Sequence, residues 1–92
     1  MVIAEDARDA QALQRRMVAR DKHIQRAKQA KAEGKLLKAA ALLDDEGQMN
    51  GSVLFLEFAT AQAAEHWLEI DPYVANNVWE RFAIRPIKVA DL

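Results

Sequence analysis

Leu36-Leu-Lys-Ala-Ala-Ala-Leu-Leu43 is followed by Asp44-Asp-Glu-Gly-Gln-Met-Asn-Gly51, and then by Ser52-Val-Leu-Phe-Leu-Glu-Phe58. Two apolar runs of strand length flank a turn-rich connection, which reads as a β-hairpin. The second run is the stronger strand. Leu54, Leu56 and Phe58 share one face, and Val53 and Phe55 share the other with Glu57. Both faces of that strand are therefore at least partly covered.

On the N-terminal side, Val2-Ile-Ala4 reads as a short first strand, and the polar stretch 5–19 as a connection with a turn of helix near Ala10–Arg16. Asp21 is placed to cap a helix over about 22–33, and Gly34 to end it. Ile24, Ala27 and Ala30 would form its buried stripe. On the C-terminal side, Thr60 caps a helix over about 61–70 with Ala64, Trp67 and Leu68 inward. Pro72 stops that helix, and Asp71 is a good N-cap for a short turn over 72–76. Val78–Ile87 reads as the last strand, with Phe82 and Ile84 alternating with Arg81, Ala83 and Arg85.

The order βαββαβ points to an α+β, ferredoxin-like split βαβ: a four-stranded antiparallel sheet with both helices on one face. Ninety-two residues make one domain, 1–92, with a small core that self-association would support. The helices leave one sheet face bare. Val53, Phe55 and Trp79 are expected there, so a second copy is expected to cover it, giving a homodimer.

Composition removes several classes of function. The chain has no cysteine and two histidines, so disulfides, thiolate chemistry and a zinc site are not expected. No apolar run is long enough to span a membrane, and no secretory signal is read, so a cytoplasmic chain is expected. Residues 1–38 hold ten Lys/Arg against five acids, and the remainder holds three against nine. That basic half has no aromatic residue interleaved to stack on bases, so it reads as a solvated helix face, with no nucleic-acid partner.

Topology narrows the search for chemistry. In a split βαβ the first helix begins, and the second ends, at the same end of the sheet. His23 and Asp71, 48 positions apart, should therefore meet at one edge, which also receives Arg20, Ser52, Tyr73, Trp79 and the acidic hairpin loop. With His23 in a first helical turn, the helix N-terminus would favour neutral imidazole. An adjacent carboxylate would fix the ring's tautomer, making a general acid/base. Arg16 or Arg20 could hold a carboxylate or enolate, and Tyr73 could donate to a developing oxyanion. No neighbouring base supports Ser52 or Thr60 as a nucleophile, and His66 reads as an ordinary helix-surface residue.

Arg16-Met-Val-Ala-Arg20-Asp-Lys-His23-Ile24 resembles the R-x₃-R-x₂-H-L pattern of the YciI-like (YCII-related) domain family. Glu33-Gly34-Lys35-Leu36-Leu37 with Ala39–Ala41, the Gly51-Ser52 opening, Asp71-Pro72-Tyr73-Val74 and the closing stretch from Val78 to Pro86 resemble its other motifs in order. Together they cover nearly the whole chain. Two departures stand out: Ala40-Ala41 replace a common Gly-Pro, and Asp21 replaces a proline. The resemblance implies a dimeric α+β barrel and a His–Asp pair falling on His23 and Asp71. A relative that is a dehydrochlorinase of a hydroxylated aromatic ring implies proton transfer on a small oxygenated substrate, in a lyase- or isomerase-type enzyme needing no cofactor. Arg16, Arg20, Ser52, Tyr73 and Trp79 are the expected substrate contacts. The competing reading is a non-catalytic dimer that binds a small ligand or docks a partner.

Overall fold

The computed structural model describes residues 1–92. Its elements are β1 (Val2–Asp6), α1 (Ala12–Ala32), β2 (Leu36–Leu43), β3 (Met49–Leu56), α2 (Ala61–Glu69), α3 (Pro72–Ala75) and β4 (Trp79–Ile84). The four strands form one antiparallel sheet in the order β2-β3-β1-β4. This is the ferredoxin-like architecture that the alternating elements imply, with α3 added before the last strand.

Register decides which residues face the helices. Val2 pairs with Leu54 and Ile84, and Ala4 with Ser52 and Phe82. Val2, Ala4, Asp6, Ser52 and Leu54 are buried on that side. Ile3 pairs with Val53 and Ala83, and Ala40 pairs with Val53 on the opposite side. Ile3 is 40% exposed there, on the face without helices. Trp79, expected on this open face, sits on the other. A register shift between Glu5 and Asp6 sets Trp79 opposite Asp6, and the indole is buried on the helix side.

The first helix also differs from expectation. It begins at Ala12, not near residue 22, and Asp21 is an exposed mid-helix residue. Asp9 organises its start: its side chain accepts from the Gln11 backbone N–H at 3.0 Å and its carbonyl from that of Ala12 at 3.1 Å. The buried stripe is Ala12, Arg16, Ala19, His23, Ala27 and Ala30, at helical spacing. Two of its six positions are polar and the rest are alanine, so hydropathy hides the first half of the helix. His23 consequently lies mid-helix, and the helix dipole contributes little to its state.

Other signals read directly. Thr60 Oγ1 accepts from Ala63 N, Asp71 caps α3, and Gly34 adopts φ +75° after α1. Asp44 Oδ1 accepts from Glu46 N and Gln48 N to close the hairpin turn. β4 is shorter than expected, ending at Ile84, although Arg85 and Met1 still exchange backbone bonds.

Gly51 lies where β3 passes closest to its neighbours. A Cβ there would stand 2.5 Å from the Ala4 carbonyl oxygen and 2.8 Å from Leu42 Cδ1. The first contact is with backbone and cannot move aside cheaply. Gly51→Ala is expected to destabilise the fold by about 1–3 kcal/mol, read from urea denaturation midpoints.

Candidate functional site

The site is built on the inward face of α1 where it meets the α2–α3 joint. Asp71 is fully buried. Its Oδ1 lies 2.7 Å from His23 Nδ1 and accepts the Tyr73 backbone N–H at 2.9 Å, while Oδ2 accepts from Arg26 Nη1 at 2.7 Å. One carboxylate thus caps a helix, contacts an imidazole and pairs with a guanidinium. Because an ionised carboxylate only accepts, the His23 proton sits on Nδ1. Nε2 has no partner within the chain and is not sealed from solvent. It is the ring atom available to a ligand.

Aromatic rings hold the imidazole in place. Tyr73 stacks on His23 with ring centroids 3.8 Å apart and planes 6° from parallel, and Trp79 meets the imidazole edge-on at 6.0 Å. Burial raises the Tyr73 phenol above its ordinary range, against the opposing pull of Arg16 and Arg20. The phenol is therefore a neutral donor throughout the physiological range.

Arg16 and Asp6 form a buried ion pair beneath this cluster, with Nη1 2.9 Å from both carboxylate oxygens. Burial raises the Asp6 carboxyl above the ordinary range, opposed by its hydrogen bond and charge attraction to Arg16. Arg16 Nη2 donates to Ser52 Oγ at 3.0 Å, and Trp79 Nε1 donates to the same oxygen at 3.2 Å. With two donors already on its oxygen, Ser52 has only its own proton to offer a ligand, and no acceptor in the chain takes it.

A cleft of about 160 Å³ opens beside these groups, roughly five waters' worth of space. Its polar lining is Arg16, Arg20, His23, Ser52 and Tyr73, and its apolar lining is Ile24, Ala39–Ala41, Met49 and Leu54. Of the residues singled out from sequence, Arg20 is an exposed cation at the mouth with no ion-pair partner. Arg16 is less available than expected, because Asp6 and Ser52 hold its two terminal nitrogens and only the buried Nε lacks a partner. Asp71 and Trp79 lie behind the cleft wall, and His66 is exposed on α2. Of the hairpin connection 44–51 only Met49 reaches the cleft; Asp44 lines a separate depression with Glu5 and Asp9. Asp6 and Arg26 are not singled out by the sequence. Arg26 follows His23 by three positions on one helix face, and that spacing is the signal that could have found it.

No three His, Asp or Glu side chains gather as a metal site, and no helix is long and apolar enough to cross a membrane. At the entrance to α1, Arg15 holds the exposed Asp9 carboxyl down to about 2. A depressed carboxyl contributes stability above its unfolded value of 3.8, and loses it as pH falls toward 2. Asp9→Asn is therefore expected to lose less stability than the parent between pH 4.5 and about 2, by urea midpoints at the two values.

The YCII-related domain model matches residues 1–88. Protein YciI of Escherichia coli O6:H1 is 33% identical over 94 residues, covering 96% of this chain and 94% of that protein. An uncharacterised protein of Haemophilus influenzae is 35% identical over 82 residues, covering 83% and 84%. Among solved structures, 5-chloro-2-hydroxyhydroquinone dehydrochlorinase from Burkholderia phenoliruptrix, in complex with 2,5-dihydroxybenzoquinone, superposes with a TM-score of 0.81. That superposition covers 97% of this chain and 93% of the other at 21% identity, a likeness of fold.

Proposed function

Because this chain belongs to the YCII-related domain family, we propose that it is a small cytoplasmic enzyme of lyase or isomerase type, moving a proton on a small oxygenated substrate. The observation that carries this reading is the His23–Asp71 contact of 2.7 Å, in a residue that lines the cleft and whose Nε2 has no partner within the chain. In this reading His23 takes a proton from a substrate carbon or hydroxyl and returns it, and Asp71 stabilises the imidazolium formed in between. Negative charge that develops on the substrate meets three donors: Arg20, the Tyr73 phenol and the Ser52 hydroxyl. The apolar lining from Ile24, Ala39, Ala41 and Leu54 suits the uncharged side of a small ring or short chain. The dehydrochlorinase of similar fold was solved with 2,5-dihydroxybenzoquinone, which supports a small oxygenated ring as the kind of ligand to test. Each proton leaves and returns through one ring nitrogen, so the reading requires no cofactor.

The test is a panel of small enols, lactones and hydroxylated or halogenated ring compounds, assayed with the parent and with His23→Gln. Turnover by the parent that the variant abolishes supports the reading. A confirmed substrate turned over equally well by both overturns it. The alternative, a non-catalytic binding module, predicts that compounds on the panel bind and are returned unchanged.

Self-association belongs to the same proposal. Ile3, Val53, Phe55, Ala40 and Ala83 make the centre of the sheet face that no helix covers, with the Glu5–Arg81 ion pair and Lys38 around them. A second copy laid sheet on sheet would bury this face. Phe55→Lys places a charge at its centre and is expected to turn a dimer into a monomer. Light scattering after size exclusion checks this at micromolar concentration. A parent that is already monomeric there rejects the dimer.

A further inference from the structure

We propose that Arg26 is a positioning residue of this site, and that the functional unit is His23–Asp71–Arg26 with Arg26 setting the resting protonation state of the imidazole. The inference rests on the reading of His23 as the proton-moving group. Arg26 and His23 are three positions apart on α1, so one helix face brings both to Asp71. The guanidinium is fixed at several points. Nη1 donates to Asp71 Oδ2 at 2.7 Å, Nη2 donates to the Trp67 carbonyl near the end of α2 at 2.7 Å, and its centre lies 4.6 Å from the Trp67 ring centroid. This clamp occupies one carboxylate oxygen and leaves the other to His23.

Charge balance gives the clamp its role. A fully buried carboxylate beside an imidazole alone would draw a proton onto that ring, because the ion pair is cheaper than an uncompensated buried charge. Arg26 supplies the compensating charge from behind, so the cluster is neutral with His23 unprotonated and ready to act as a base. The other groups facing the ring do not change the sign. From β1 and α1, Asp6 and Arg16 neutralise one another. Arg20, at the cleft mouth, disfavours a second cation. Tyr73 of α3, Ser52 of β3 and Trp79 of β4 are uncharged, and β2 presents only alanines.

The experiment needs no substrate. Nitrogen NMR of ¹⁵N-histidine-labelled protein at pH 7.5 reports the protonation of each ring nitrogen, with exposed His66 as the internal reference. The parent should show His23 as neutral imidazole with the proton on Nδ1. Arg26→Gln retains a hydrogen-bond donor but no charge, and should raise the imidazolium-to-imidazole ratio of His23 by roughly tenfold or more. Arg26→Lys restores the charge and should restore the neutral ring. A parent already present as imidazolium overturns the proposal without any variant, and so does a neutral His23 in folded Arg26→Gln. The outcome is separable from that of His23→Gln. Failure of the catalytic reading leaves these spectra unchanged, and failure of the clamp leaves His23 turnover to be measured on its own.

Discussion

His23→Gln is expected to lower the turnover of a substrate of this protein by about 10²–10⁴-fold, with a much smaller change in KM. Gln reaches a similar distance as His and offers an amide N–H to Asp71 Oδ1, so the buried carboxylate keeps its partners. What it lacks is a group that accepts and releases a proton near neutral pH. A loss confined to kcat identifies the proton step, whereas an equal rise in KM would assign His23 to binding. The fold should survive: His23 contributes a ring stacked on Tyr73 and one hydrogen bond, while the core runs through Val2, Leu54, Leu68 and Val78. Denaturant midpoints within about 1–2 kcal/mol of the parent would confirm that the kinetic effect is local.

Asp71→Ala is expected to act chiefly on stability, lowering it by about 3–5 kcal/mol, a large share of what a domain of this size possesses. The carboxylate accepts three hydrogen bonds and is wholly buried. Its removal strands the partly buried Arg26 guanidinium and uncaps α3, and the lost cap alone costs about 1 kcal/mol. Asp71→Asn separates the two roles. Its amide oxygen can still cap Tyr73 N–H, so α3 persists, but the amide carries no charge for Arg26 or His23. The expected order of urea midpoints is parent, then Asn, then Ala. An Ala variant as stable as the parent would show that the cluster contributes specificity and not stability.

The fold was legible wherever apolar residues alternate or caps are explicit. The hairpin, the Thr60 cap, the Asp71-Pro72 start of α3 and the Gly34 stop all appear as their residue types dictate. The first half of α1 was not legible, because its inward stripe uses alanines, Arg16 and His23 in place of large apolar side chains. The same substitution is what builds the site: positions that would ordinarily fill a core carry the groups that pair with Asp6 and Asp71. Reading the helix as starting at Asp21 placed His23 near a helix end and credited its neutrality to the dipole. In the structure that task falls to no helix terminus. The topology points to the meeting of His23 with Asp71, but on the premise that His23 opens α1; in the structure it is the middle of α1 that meets the joint between α2 and α3. Asp6 and Arg26 were missed because a charged residue next to a helix or strand ordinarily faces water, and only three-dimensional pairing shows otherwise. Trp79 lies on the helix face and not on the open one because a single register shift at Glu5/Asp6 reverses the alternation.

The residues lining the cleft differ in mechanical character. His23, Ser52 and Tyr73 stand on elements tied into the core, whereas Ala39–Ala41 belong to β2, an outermost strand whose middle residues are exposed. An outermost strand breathes more readily than a central one, so its amides should exchange with deuterium ahead of those in β1. Shape preference can therefore drift through the small side chains of Ala39 and Ala41 on a pliable margin while the proton-handling part of the lining stays rigid. Such a division lets one scaffold be retuned to new compounds without rebuilding its proton-handling groups.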